Sequence, residues 1–281
     1  MTISKVIHER GLTASSLPES EQLRNCHGLR PVLATESRAT GDLDLLLSTN
    51  GEPLELQASA LYSPSTANVA VLFKAFALAY DAGAVLHHCR NLAKAYGAIV
   101  AQFERIRSIT GYEESASGFV SFGYQAEPYY ELDALLSASR RVYDKIGYCV
   151  WEAFEGGGGM PRNVADLLVR LKSCPQPLVA RLRNSWTNVG EKLKDYRDCT
   201  QHFASTDIGM ATVTMKRLAD GVWTAWARIP DNPEVKSRKK FSYTCGYDAL
   251  TYGWEVANEV ISLATEAVAT ASASRGVPIG V

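Results

Sequence analysis

Between Asn68 and Arg107 the chain runs without a proline, and apolar residues return every three or four positions: Val71, Ala75, Leu78, Ala82, Val85 and Cys89, with Leu72, Phe76 and Leu86 widening the row. That period predicts an amphipathic α-helix, with Gly83 and Gly97 as its weak points. A helix of this length with an apolar stripe along it draws its stability from packing rather than propensity, so it demands partner helices along its length. The fold class follows from that demand: mainly α, a helical bundle.

The partners are legible downstream. From Pro128 to Phe154 the residues Leu132, Leu135, Leu136, Val142, Ile146, Cys149 and Val150 repeat helically, and Pro128 suits a first helical turn. The glycines from Gly156 to Gly159 end that helix. Pro161 is placed to open a short helix to about Leu171, and Leu178 to Phe203 reads as a further helix, with Leu178, Leu182, Trp186, Val189, Leu193, Tyr196 and Phe203 on one face. A last helix is expected from Ala249 to Ala271, ahead of a frayed tail.

Two strands interrupt the helices. Ala211 to Leu218 and Val222 to Ile229 flank Asp220-Gly221, a dipeptide whose backbone freedom suits a two-residue hairpin turn. Trp223 and Trp226 stand at odd spacing in the second strand and so face opposite sides, at least one of them into a core. A shorter hairpin is expected where Leu45, Leu47, Leu54 and Leu56 alternate around the turn residues Thr49 to Pro53. The organisation is therefore a small β and irregular N-terminal arm over 1–66, then a helical bundle domain over 67–281. A two-stranded β-hairpin at 211–229 is inserted before the C-terminal helix.

With 46% hydrophobic residues over 281 positions there is ample material for a core. The 29 basic and 30 acidic residues cancel, so no global field draws the chain to nucleic acid or anionic lipid, and polyanion binding has to come from a local patch. Lys236, Arg238, Lys239 and Lys240 form the dense basic cluster, beside Phe241 and Tyr243. Cations there suit an RNA backbone and aromatics suit stacked bases, although a solvated loop has the same composition. Arg140 and Arg141 are a second candidate RNA contact, equally compatible with surface ion pairs. The six scattered cysteines contain no CxxC pair, which reads as reduced thiols inside a cell and disfavours zinc and disulfide folds. Apolar runs are broken before spanning length, so no membrane contact is expected and a cytoplasmic location is. The glycines at 156–159 lack a following Lys-Ser or Lys-Thr, so they are no phosphate loop.

The chemistry-bearing run closes the helix that starts at Leu178: Arg197, Asp198, Cys199, Thr200, Gln201, His202. Arginine stabilises charge building on a phosphoryl oxygen, and histidine moves a proton at neutral pH. This run resembles the Arg-x4-6-His motif of HEPN domains (higher eukaryotes and prokaryotes nucleotide-binding), all-helical modules many of which are RNA-cleaving toxins or defence nucleases. Asp198 stands where that family often has a polar residue after its Arg, and about half the chain, from 128 to 271, supplies the corresponding helices. The resemblance implies an endoribonuclease working without metal or cofactor at a site shared across a homodimer. It implies an RNA substrate and an antitoxin or defence partner, with Arg197, His202 and Asp198 as catalytic residues. The chain is longer than a minimal domain of this kind, and the hairpin at 211–229 lies outside the core motif.

Helix geometry bears on the same residues. Five steps of about 100° leave Arg197 and His202 pointing about 140° apart, so one regular helix cannot aim both at one phosphate. Either the helix loosens at its end, or a twofold mate supplies the second group. Arg197 has Leu193, Lys194, Thr200 and Gln201 at the three and four positions, so its carboxylate partner is expected off its own helix. His202 has Asp198 four residues back and sits at the negative end of the helix dipole, both favouring the imidazolium. Two other readings stay open. In one, the chain is a non-catalytic helical module that binds RNA or protein, with Arg197 structural. In the other it is a bundle metalloprotein, with Glu191, Asp195, Asp198 and His202 on one stripe facing His87, His88 and Asp81 or Glu131 and Asp133.

Overall fold

The computed structural model describes residues 48–49, 52–53, 69–110, 119–156, 159–202, 211–217, 221–235 and 237–274. It is mainly helical, with a small three-stranded antiparallel sheet. In chain order the elements are β1 (Ser48–Thr49), β2 (Glu52–Pro53), α1 (Val69–Thr110), β3 (Phe119–Tyr124), α2 (Glu127–Phe154), α3 (Val164–Arg170) and α4 (Gln176–Ser185). A π-helical turn (Trp186–Gly190) follows, then α5 (Glu191–His202), β4 (Thr212–Arg217), β5 (Trp223–Trp226) and α6 (Ala249–Ala273). Most of the N-terminal arm, including Leu45, Leu47, Leu54 and Leu56, and the tail after residue 274 lie outside the described residues. The short pair β1–β2 is antiparallel, with Ser48 opposite Pro53 and Thr49 opposite Glu52.

The stripe on α1 packs inward as its period requires: Ala75, Leu78, Ala82 and Val85 are fully buried, and Cys89 nearly so. Phe76 departs from that expectation and is 41% exposed, between the exposed Phe73 and Tyr80. On α2 the predicted residues Leu132, Leu135, Leu136, Val142, Ile146, Cys149 and Val150 are all buried. Gly156 ends α2 in the left-handed region, φ 49°, with its N–H on the Trp151 carbonyl. The next helix begins at Val164 rather than Pro161, because Asn163 caps it: its side chain accepts the Asp166 N–H at 2.9 Å.

By backbone proximity the described chain divides into two units. The first comprises His88–Ala134 and Asp195–Glu255 and contains the sheet; the second comprises Leu135–Lys194 with the described parts of 48–87 and 256–281. In the second unit Tyr143 donates to or accepts from the Ser185 hydroxyl at 2.7 Å, and Arg181 grips Glu259 with two guanidinium nitrogens at 2.5 and 3.2 Å. These tie α4 to α2 and to α6 respectively. All five described cysteines are free thiols, and burial pushes Cys89 and Cys149 up to about 12, so neither is a nucleophile at neutral pH.

In the first unit the strand order is β3-β4-β5, so a third strand joins the predicted hairpin. Its two faces differ. Val213, Met215, Trp223 and Ala225 are buried on the inner face, where Phe103 of α1 meets Phe122 edge-on at 5.4 Å and Trp223 at 4.9 Å. The outer face carries Phe119 opposite Lys216, Ser121 opposite Thr214 and Tyr124 opposite Thr212, and on the other side Trp226 opposite Thr214. Simple alternation from Phe119 would turn Tyr124 inward. A bulge between Ser121 and Tyr124, with Gly123 at φ 73°, adds one residue and returns Tyr124 to the outer face.

Candidate functional site

The helix bearing Arg197 is one helix in sequence but has a defect in three dimensions. Periodicity from Leu182 through Trp186 predicts burial of Val189; instead Gly190 is buried and Val189 half-exposed, because the turn at 186–190 is π-helical, while Leu193 and Tyr196 beyond it are buried as the period predicts. Gly190 permits the turn by lacking a side chain: a Cβ there would lie 2.4 Å from Trp186 Cε3. Trp186 is in turn held between the Tyr143 ring, edge-on at 5.6 Å, and the Arg140 guanidinium, 4.9 Å above it.

Beyond the π turn the backbone is regular α-helix from Glu191 through His202. The angle of about 140° between positions 197 and 202 therefore applies to this segment. Tyr196 and Cys199 are fully buried in the first unit, and the Tyr196 hydroxyl donates to the Pro230 carbonyl. Arg197, between them, keeps 35% of its side chain exposed and places Nη1 3.3 Å from Oδ1 of Asp198, itself 20% exposed. The partner expected off the helix is thus the next residue: a long guanidinium side chain folds back along the helix surface to reach it, a contact outside the three-and-four rule. An ion pair of this length and exposure contributes little to stability. One turn on, Thr200 donates to Asp133 on α2 at 2.5 Å, which fixes the rotation of α5 against α2. The side chain of His202 lies outside the described part.

The other predicted residues are placed as follows. Arg238, Lys239 and Lys240 form an exposed 3-10 turn; Lys236 lies outside the described residues. The turn is braced from below, since Asn232 donates to the Lys240 carbonyl at 3.1 Å and accepts the Ser242 N–H at 2.7 Å. Asp231 accepts from Ser242, Thr244 and the Cys245 N–H within 3.1 Å. Arg140 and Arg141 belong to the second unit and are engaged there, Arg140 on Trp186 and on Asp144 at 3.3 Å, Arg141 on Asp81 at 2.9 Å. Arg140 is only 14% exposed, so its side chain is given to packing. Of the metal-ligand candidates, His88 bonds Glu131 at 2.9 Å, Asp133 holds Thr200 and Asp81 holds Arg141. Among the described residues no group of three or more His, Cys, Asp and Glu side chains is arranged to hold a metal ion.

Two charged groups escape sequence inspection. Lys216 on β4 is 6% exposed, its Nζ 5.7 Å from the centre of the Phe119 ring, and burial pulls its ammonium down to about 8. Asp248, immediately before α6, is 5% exposed and accepts from Tyr96 at 2.5 Å, the Ala227 N–H at 3.1 Å and the Thr251 N–H at 3.0 Å. Burial raises it to about 6 against the pull of those donors, the Tyr96 hydroxyl foremost. Their sequence neighbours announce neither: a lysine in an alternating strand reads as outward, and the partners of Asp248 come from far up the chain. Among the described residues no helix is long and apolar enough to cross a membrane. No known protein family, curated protein or solved structure matches this chain.

Proposed function

We propose that the chain is a metal-independent endoribonuclease of the HEPN-like kind, with Arg197 and His202 as its catalytic pair and a second copy of the chain completing the site. The observation that supports this reading is the solvent-reachable Arg197 guanidinium, held by a weak neighbour pair, in a helix that stays regular through His202. Because that helix aims the two positions about 140° apart, a twofold cleft is the arrangement that brings an Arg and a His to one phosphate. There a ribose 2′-hydroxyl attacks the adjacent phosphorus as His202 takes its proton, and the 5′-oxygen leaves with a proton returned by an imidazolium. Arg197 neutralises the phosphoryl oxygens, and Asp198 orients Arg197. The products are a 2′,3′-cyclic phosphate and a 5′-hydroxyl.

Purified protein is expected to cleave single-stranded RNA in excess chelator, and Arg197→Ala and His202→Ala each to lower the rate by about 100-fold or more, with circular dichroism and melting unchanged. Mixing the two inactive variants should restore part of the activity, since a mixed dimer regains one Arg and one His in the cleft. Cleavage retained in both variants overturns the assignment. The second reading, a non-catalytic binding module, is favoured by the Arg197–Asp198 pair itself, which occupies the guanidinium. It predicts no cleavage of any RNA, with binding intact in both variants.

A further inference from the structure

The outer face of the sheet is buried at one end, where Lys216 pairs with Thr224 at 6% and 3% exposure, and open at the other. Among the described residues its paired positions carry aromatic rings, hydroxyls and one lysine, and no carboxylate and no aliphatic side chain. Tyr124 is 65% exposed at its open end, and the neighbouring Tyr130 is 66% exposed, their hydroxyls 3.2 Å apart. Phe119 and Trp226 are half-exposed with ring centres 6.4 Å apart, and Lys216 lies against Phe119. Where β5 runs on, Arg228 stacks on Trp226 at 4.9 Å and donates to the Tyr243 carbonyl, while the Trp226 indole N–H donates to the Gly246 carbonyl at 3.3 Å. Those bonds bind the 238–246 loop to the edge of this face, and that loop carries the exposed basic turn Arg238–Lys240.

We infer that the open end of this face is a binding platform for single-stranded RNA, with bases stacking on Tyr124 and against the exposed edges of Phe119 and Trp226, and phosphates meeting the 238–240 turn. Charge decides the class of occupant: among the described residues the strands of this face carry no acidic side chain, and Asp231 at the loop is taken up by Ser242, Thr244 and Cys245, so rings beside the exposed 238–240 cations complement a flexible polyanion that has flat apolar groups. Protein interfaces share the aromatics and the arginine but are depleted in lysine, so the exposed Lys239 and Lys240 beside the rings favour a polyanion. The hydroxyls of Ser121 and Thr214 line the floor, able to accept from or donate to a 2′-hydroxyl, which favours RNA over DNA. The bulge at Gly123 is what makes the platform, since without it Tyr124 would point into the core. None of these residues belongs to the Arg197–His202 pair, and the inference does not rest on catalysis.

The test is a fluorescence-anisotropy titration of the full chain with a labelled single-stranded RNA 12-mer, repeated in the Arg197→Ala variant, with probe integrity checked on a denaturing gel afterwards. Tyr124→Ala, an exposed position, is expected to weaken binding by about five- to fifty-fold, and Tyr124→Phe to leave it within about twofold, because the ring and not the hydroxyl stacks. Lys239→Glu with Lys240→Glu should weaken binding and flatten its salt dependence. Duplex RNA of the same sequence should compete poorly. Equal binding of the duplex, equal binding of a deoxy 12-mer, or affinity unchanged in Tyr124→Ala each overturns the inference. Since binding is read with intact probe in both chains, loss of cleavage alone leaves it standing.

Discussion

Replacing Asp248 with alanine is expected to lower the folding free energy by about 2–4 kcal/mol at neutral pH, read by urea or thermal unfolding. The carboxylate joins three separate pieces of the first unit. One oxygen takes the Tyr96 hydroxyl from α1 and the Ala227 N–H at the end of β5; the other takes the N–H and hydroxyl of Thr251 in the first turn of α6. Alanine strands the Tyr96 proton in a site where that residue is 1% exposed and removes the helix cap as well. An unpaired buried donor costs roughly 1–3 kcal/mol and a lost cap roughly 1 kcal/mol, offset in part by relief from burying a charge. Burial raises this carboxyl to about 6 in the folded protein from 3.8, so the fold holds its proton more tightly than the unfolded chain does. The stability it contributes is therefore greatest below about pH 4 and falls as pH rises to 6, and the gap between wild type and Asp248→Ala should widen by about 2 kcal/mol on acidification from pH 7 to 4. A loss below about 1 kcal/mol, or a gap independent of pH, contradicts this account.

Gly190→Ala should destabilise by about 2–4 kcal/mol, although glycine to alanine inside a helix is ordinarily stabilising by about 1 kcal/mol. The added carbon would meet Trp186 at 2.4 Å on Cε3 and 3.0 Å on Cδ2 and Cζ3. The indole has nowhere to swing, because it is 8% exposed and held by Tyr143 and Arg140. Relief must come from straightening the π turn itself. A double-mutant cycle with Trp186→Leu should recover more than about 1 kcal/mol of the loss, the mark of a direct contact. A neutral or stabilising Gly190→Ala would show that the π turn is not held by this packing.

These two positions show why parts of the molecule are readable in one dimension and others are not. The α1 and α2 stripes are local facts: burial of Leu78, Val85, Leu135 and Ile146 follows from a 3.6-residue period within each segment. Strand β3 is short and its alternation is broken by Gly123, so it gains its identity only by pairing across the bulge with β4, far along the chain, at Ser121↔Thr214 and Tyr124↔Thr212. Asp248 and Tyr96 stand 152 residues apart. Arg140 reads as a surface cation from its neighbours, and only the arrival of Trp186 from the π turn makes it a packed side chain.

At the candidate site the same boundary holds. The Arg-x4-His run, its place at a helix end and the angular separation of its two side chains are properties of the chain itself, because helix geometry is the same in any fold. The pairing of Arg197 with Asp198, the anchoring of α5 through Thr200 and Asp133, and the turning of Tyr124 onto an aromatic and basic face are not. Periodicity in the sequence determined that this would be a helical bundle with a hairpin, since apolar stripes must be buried wherever they occur. Which charges are sunk, which rings are left outside, and where a helix slips by a residue were decided by tertiary packing, because they depend on side chains brought together from distant parts of the chain.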